Sequence, residues 1–222
     1  MTLIEATQAG ADSIINAGLT IDGSQGPATT NALHELISKL KIYFTHKNYE
    51  WFDSMLIGIR TNDEYTNKFT DWGILINGEQ VYIVPISTKP GASYQKNPVY
   101  IAKVHGCACL VPGQYKGMWK YSNSGWSGDP YLMQVAPVTI YRDSSMGNII
   151  DKTKTDTGLF GINFHSWKGF GIDFVQNLSA GCQVMDEIYL LDIMPILQKL
   201  TGAITYTLID FSDFTANNTL IV

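Results

Sequence analysis

Two segments of the 222-residue chain carry residue types suited to nucleophilic catalysis. Residues 161–167 read G-I-N-F-H-S-W, and residues 179–183 read S-A-G-C-Q. A strand that ends in His165, followed by a loop and Cys182, places an imidazole beside a thiol, where it can take the proton and hold the thiolate as an ion pair. Small residues let a substrate approach the sulfur, and the backbone N–H groups from Gly181 to Gln183 are expected to receive an oxyanion.

These segments resemble the catalytic signature of the L,D-transpeptidase (YkuD-type) family, in which a histidine on one strand precedes S/T-H-G-C. Three further stretches occur in the family's order, so the resemblance spans roughly residues 72 to 210. They are Val84 to Gly91, Val111 to Tyr115, and Asp186 to Ile209.

The resemblance assigns a role to each residue of the two segments. It implies that Cys182 is the nucleophile, that His165 is the general base, and that Ser166 orients the imidazole through its main-chain carbonyl. Ser179 would support the loop. The remaining candidates for substrate or oxyanion contacts are Gly181, Gln183 and Trp167.

Two positions depart from the family pattern. Ala180 stands where the family usually has a second histidine, and Val184 stands where it usually has Arg or Asn. The implied substrate is the peptide stem of bacterial peptidoglycan, attacked to give a thioester that an amine or water resolves. The departures make hydrolysis at least as plausible as transfer. No metal or organic cofactor is implied, and a catalytically inactive wall-binding or virion structural protein is the alternative.

A second short motif, His105-Gly106-Cys107, imitates part of this pattern. It lacks a preceding serine and an upstream strand histidine, and it continues into an apolar run, so we interpret Cys107 and Cys109 as structural. Their close spacing argues against a disulfide between them. His34, on a predicted helix, and His46, in a polar connector, are expected to be solvated or capping.

Residues 1–50 are predicted to form a small helical module. Ala32, Leu33, Leu36, Ile37 and Leu40 share one face of a helix that can begin at Pro27. The run from Leu19 to Leu33, L-x-x-D-G-x-x-G-P-x-T-x-x-A-L, resembles the core signature of a peptidoglycan-binding helical module. The alternative is a helical hairpin docked on the main domain.

The rest of the chain, residues 51–222, is predicted to be a β-rich catalytic domain, which makes the protein α+β. Asn77-Gly78 between apolar runs indicates a hairpin with a type I′ turn. Strands are also expected at 98–104, 131–141, 161–164 and 204–211. The segment from Tyr115 to Tyr131 is interpreted as a long aromatic loop that could cover substrate, with Lys120 and Asp129 as weak binding candidates. Near the end, Asp192 is expected to cap a helix that stops at Gly202.

The composition of the chain limits which partners the protein is expected to bind. With 45% hydrophobic and 16% charged residues and a net charge of −5, the chain has no cationic stripe for nucleic acid. No apolar run approaches the roughly 18 residues of a membrane span, and Met1 to Gly10 lacks the pattern of a secretion signal. A wall enzyme without an export signal is expected to be phage-encoded, present in the host cytoplasm before release or carried on a virion with tail partners, unless the signal has been removed from the sequence.

Overall fold

A computed structural model describes residues 1–125, 128–166 and 174–219 of the chain. These residues form a mixed α+β protein with six helices and eleven strands. The helices are α1 (Leu3–Ile15), α2 (Pro27–His46), α3 (Ala92–Gln95), α4 (Pro98–Val104), α5 (Leu190–Lys199) and α6 (Phe211–Thr219). The strands are β1 (Ser54–Arg60), β2 (Asp71–Asn77), β3 (Gln80–Ser87), β4 (Cys107–Leu110), β5 (Gly113–Ser122), β6 (Tyr131–Gln134), β7 (Val138–Asp143), β8 (Thr155–Gly158), β9 (Phe164–His165), β10 (Gln183–Met185) and β11 (Ile204–Asp210).

Eight of the strands close into a barrel. Their order is β1-β11-β5-β6-β9-β10-β3-β2, while β4, β7 and β8 form a separate three-stranded sheet. Three aromatic side chains pack together inside the barrel, with the ring of Trp119 4.5 Å from that of Tyr206 and 5.7 Å from that of Phe164 between centroids. The barrel makes β9 and β10 parallel neighbours, which brings the histidine segment beside the cysteine segment.

The N-terminal helices pack directly on this barrel. Thr2 and Glu5 form a capping box that starts α1, and Pro27 lies in the first turn of α2 as predicted. In α1, the Thr7 hydroxyl accepts from the Ile83 N–H at 3.1 Å. At Gly10, an added Cβ would lie 2.3 Å from the Ile83 side chain, so only glycine permits this approach of helix to strand.

Helices and barrel share one hydrophobic cluster. Burying a large apolar side chain in it contributes about 1.5–3 kcal/mol, so the helices and the barrel stabilise each other. None of the helices within the described ranges is both long and apolar enough to cross a bilayer. The fully or almost fully buried members of the cluster are Ala11, Ile14, Leu33, Leu36, Leu40, Tyr43, Phe44, Met55, Ile57, Ile59, Ile74, Ile76, Ile83, Ile209 and Phe214.

The hairpin predicted at Asn77-Gly78 joins β2 to β3, but its turn is displaced by one residue. Asn77 still pairs with Gln80, so the turn residues are Gly78 and Glu79. Only Gly78 has positive φ, at 61°, whereas a type I′ turn needs positive φ at both central residues. The expected hairpin is confirmed and the expected turn type is wrong.

The strand expected at 98–104 is instead the helix α4. The Asn97 side chain accepts from the N–H groups of Val99 and Tyr100, and Pro98 occupies the first turn. An N-cap followed at once by proline starts a helix, and this signal outweighs the apolar run.

The long loop expected from Tyr115 to Tyr131 is also wrong for its first half. Residues up to Ser122 belong to β5, because the fully buried Trp119 fills the barrel. The run 131–141 divides into β6 in the barrel and β7 in the second sheet.

The helix after the cysteine segment begins earlier than expected. Asp186, rather than Asp192, caps a 3₁₀ turn over Glu187–Tyr189 that leads directly into α5. Asp192 lies in the first turn of α5, and the predicted closing strand is present as β11.

Candidate functional site

The register of β9 against β10 places His165 and Cys182 on the same side of the barrel wall. Gln183 pairs with Phe164 and Val184 pairs with His165. Because side chains alternate along a strand, Phe164 and Gln183 face the interior while His165 and Cys182 face outward. Both line one cleft of about 360 Å³. The described residues lining it are Tyr94, Gly125, Asp129, Pro130, Tyr131, Asn163, His165, Ser166, Asn177, Leu178, Ala180 and Cys182.

The Cys182 thiol is partly exposed and is held by backbone groups of the residues before β9. It donates to the carbonyl oxygen of Gly161, 3.3 Å from Sγ. Burial raises the pKa of the thiol to about 11, against the lowering effect of the N–H groups of Asn163 and of Cys182 itself.

The His165 imidazole is anchored by the next residue in the chain. Its Nδ1 lies 3.4 Å from the carbonyl oxygen of the buried Ser166, which is the contact expected from the sequence. Burial lowers the imidazole pKa, and the bond to Ser166 opposes this effect. An N–H at Nδ1 donating to this carbonyl leaves Nε2 as the basic nitrogen.

These pKa directions differ from those of the expected resting ion pair. A thiol with a raised pKa and an imidazole with a lowered pKa are both neutral near pH 7. Within the described residues, the thiol bonds to Gly161 and the imidazole to Ser166, with no direct hydrogen bond between them. At that pH, the thiol therefore still carries its proton before any reaction.

Ser179 supports the cysteine loop, as its predicted role requires. Its fully buried hydroxyl donates to the Cys182 carbonyl at 2.8 Å and accepts from the Gly181 N–H at 3.1 Å. Gly181 has φ of 146°, and a Cβ there would lie 2.5 Å from the backbone oxygen of Ala108. Only glycine fits at this position, because both the backbone angle and the close approach exclude a side chain.

The segment after β3 braces the same loop from the other side. The Gly91 N–H donates to the Ser179 carbonyl at 2.8 Å. A Cβ on Gly91 would lie 1.9 Å from the backbone oxygen of Gln176, so this glycine is required by contact and not by its backbone angle.

A buried charged network fixes the chain just before Gly91. Asp71 accepts from the Thr88 N–H at 3.0 Å and from its hydroxyl at 2.7 Å. Lys89 Nζ lies 3.3 Å from Asp71, and Arg60 Nε donates to the Thr88 hydroxyl at 3.0 Å. Removing one partner from such a buried pair costs about 3–5 kcal/mol, so the network makes this brace rigid.

The expected oxyanion donors at 181 and 183 are already bonded. The Gly181 N–H donates to Ser179, and the Gln183 N–H donates to the Asn163 carbonyl at 2.9 Å. The Gln183 side chain lies inside the barrel, where its Oε1 accepts from the Tyr206 hydroxyl at 2.8 Å. The N–H groups that lower the thiol pKa belong instead to Asn163 and Cys182.

The two positions that depart from the family pattern have different surroundings. Ala180 lines the cleft beside the sulfur. Val184 is fully buried in a small apolar cluster with Val175 and Leu178, against which Cys182 packs. The residue at 184 therefore packs behind the sulfur and does not anchor a polar substrate.

Sequence reasoning missed the residues that shape the histidine segment. The Trp119 indole N–H donates to the Ile162 carbonyl at 2.7 Å. Gln134 Oε1 accepts from the Ile162 N–H at 2.8 Å, and Asn163 Oδ1 accepts from the Gln134 N–H at 2.9 Å. The sequence signal for this contact was Gln134, which ends an otherwise apolar strand. A buried side-chain amide needs hydrogen-bond partners, so its position indicates a polar contact there.

The remaining candidates fall in several places. Trp167, like Trp126 of the aromatic loop, lies outside the described residues. Asp129 lines the cleft, whereas Lys120 is exposed on β5 and does not line it. Cys107 and Cys109 are free and fully buried, and His34 and His46 are exposed on α2.

Comparison with known proteins gives no match for this chain. No family model matches it, and no curated protein or solved structure shows significant similarity. Within the described ranges, no group of three or more His, Cys, Asp or Glu side chains is placed to hold a metal ion.

Proposed function

We propose that the protein is a cysteine acyl-transfer enzyme acting on the peptide stems of bacterial peptidoglycan, as an L,D-transpeptidase or L,D-peptidase. One observation carries the proposal: His165 on β9 and Cys182, just before the parallel neighbour β10, line one cleft, and the imidazole contacts the carbonyl oxygen of the next residue. The order of these segments and their resemblance to the wall-enzyme signature supply the substrate class.

The proposed reaction starts from a neutral pair. As the Cys182 sulfur attacks an amide carbonyl carbon, its proton passes to Nε2 of His165, and the N–H groups of Asn163 and Cys182 receive the oxyanion. The C–N bond then breaks and the imidazolium returns the proton to the leaving amine. The resulting thioester is cleaved by water, which gives hydrolysis, or by an amine, which gives transfer.

A second candidate is a wall-binding or virion structural protein that has this site without activity. The raised pKa of Cys182, and its donation to Gly161 as a neutral thiol, favour this alternative. Both candidate functions use the same fold, but only the enzyme forms a thioester at Cys182.

Digestion of purified sacculi in H₂¹⁸O, with mass analysis of the released peptides, tests the proposal. Hydrolysis introduces ¹⁸O into a new carboxyl group, whereas transfer gives a new amide without the label. Both products must vanish in Cys182→Ala and persist in Cys107→Ala, the matched control. Intact sacculi after incubation with the wild-type protein would leave the structural role as the conclusion.

A further inference from the structure

Cys182 also lines a second cavity, whose other walls are mostly different from those of the first. This second cavity measures about 300 Å³ and lies between the barrel and the three-stranded sheet. Among the described residues, the two cavities share only Ala180 and Cys182. Cys182 therefore contributes to the walls of two cavities.

The second cavity has a distinct chemical character. Arg142, on β7, is the only charged residue among the described residues that line it. Much of the remaining wall is apolar or aromatic, including Phe160, Ile162 and Val104. A cation on such a wall is screened less than one on an open surface, so it attracts its partner Asp156 and any further anion more strongly.

The guanidinium of Arg142 is held by hydrogen bonds that do not use all of its N–H donors. Nε and Nη2 donate to Asp156 Oδ2 at 3.3 and 3.0 Å, and Nη1 donates to the Val104 carbonyl at 3.2 Å. The group also stacks 4.7 Å from the ring centre of Phe160. A guanidinium has five N–H donors, so these three bonds leave two for a ligand.

We propose that this second cavity binds the carboxylate of an amino acid on the amine side of the bond that Cys182 attacks, with Arg142 as the specificity-determining residue. This inference rests on the proposed function. A departing amine and an accepting amine use the same side of the thioester, so one site serves both. The carboxylate makes a terminal residue the preferred leaving group and a free amino acid the preferred acceptor.

Alkylation of the sulfur tests the cavity without any wall substrate. Iodoacetate and iodoacetamide both transfer a two-carbon group to the Cys182 thiolate with loss of iodide, but only iodoacetate carries a carboxylate. The ratio of their rates, measured at Cys182 by peptide mass spectrometry at constant ionic strength and pH 9, cancels any change in the thiolate fraction.

Arg142→Gln is expected to lower this ratio about 3- to 10-fold, and Arg142→Lys is expected to restore part of it. Asp156→Asn, which removes the competing carboxylate, is expected to raise it. Lys116→Gln, on the exposed face of β5, is the control for net charge and should leave the ratio unchanged.

Three results would overturn the inference: equal ratios in wild type and Arg142→Gln, an equal fall in Lys116→Gln, or a Cys182 that reacts with neither reagent. Failure of the proposed function gives a different result from failure of this inference. If the alkylation ratio depends on Arg142 but the sacculi stay intact, the carboxylate site is retained and the wall activity is rejected. If the sacculi are processed but the ratio does not depend on Arg142, the wall activity is retained and the carboxylate site is rejected.

Discussion

The chain contains two Gly-Cys turns that are alike locally and differ in what surrounds the sulfur. Gly106 before Cys107 and Gly181 before Cys182 both have positive φ, and a Cβ on either would meet backbone of a neighbouring strand within 3 Å. Cys107 is fully buried in β4, whereas Cys182 is partly exposed between two cavities.

The same contrast extends to ionisation. Burial raises the pKa of both thiols; Asp143 adds to this effect at Cys107, whereas N–H groups oppose it at Cys182. An imidazole shares the cleft with Cys182 but not with Cys107 among the described lining residues. A Gly-Cys turn therefore sets backbone shape, and the neighbouring strands decide whether the sulfur can react.

Replacing the thiol group of each cysteine by hydrogen should give the largest difference between the two turns. Cys182→Ala is expected to reduce release of peptides from sacculi at least about 10³-fold, because no other exposed thiol lies in the cleft. Cys107→Ala should keep turnover within about twofold and cost about 1 kcal/mol of unfolding free energy. Turnover that survives in Cys182→Ala would remove the site from consideration.

Removing the imidazole should have the next largest effect. His165→Gln is expected to lower turnover about 10²- to 10⁴-fold, since the neutral thiol then has no base. In wild type, the lowered pKa of His165 keeps the base neutral near pH 7. Turnover should therefore fall only when the pH drops below the usual imidazole value of about 6.5, and it should fall on the alkaline side near the thiol pKa of about 11. A loss of turnover that begins above pH 7 on acidification would contradict this assignment.

The two glycines can be compared by adding one methyl group to each. Gly181→Ala and Gly106→Ala should each lose about 2–4 kcal/mol of unfolding free energy in urea, through backbone strain and the clash. Only Gly181→Ala should also slow alkylation of Cys182 by iodoacetamide. Gly18→Ala is the control for strain alone, because its φ is 66° with nothing within 4 Å of the new Cβ. It should cost about 1 kcal/mol.

The smallest expected effect is on stability at alkaline pH. The pKa of Cys107 is raised in the folded state, so its contribution is fully present below the unfolded thiol pKa and is lost as pH rises towards about 12. Wild-type unfolding free energy should fall by on the order of 1 kcal/mol per pH unit between pH 9 and 11 from this group. Cys107→Ala should show a flatter curve in urea unfolding measured across this pH range.

Local patterns predicted many of the elements. The helix that begins with Pro27, the hairpin after Asn77 and the strand from Ile204 are present because apolar periodicity, proline and glycine act over a few residues. The errors arose where a local signal was misread or overridden. Asn97 and Pro98 started a helix in an apolar run, and Trp119 made a strand of an expected loop by filling the barrel.

The sequence by itself determined the chemistry available to the site: one thiol in an S-x-G-C loop and one imidazole ahead of a serine carbonyl. Only the tertiary structure decided that β9 lies beside β10, that the N–H groups of Gly181 and Gln183 are already bonded, and that Arg142 shares a cavity with the sulfur. Residue types specify which protons and charges exist. Their pKa values, partners and accessibility depend on contacts between segments far apart in the chain, because burial and hydrogen bonding are set by packing.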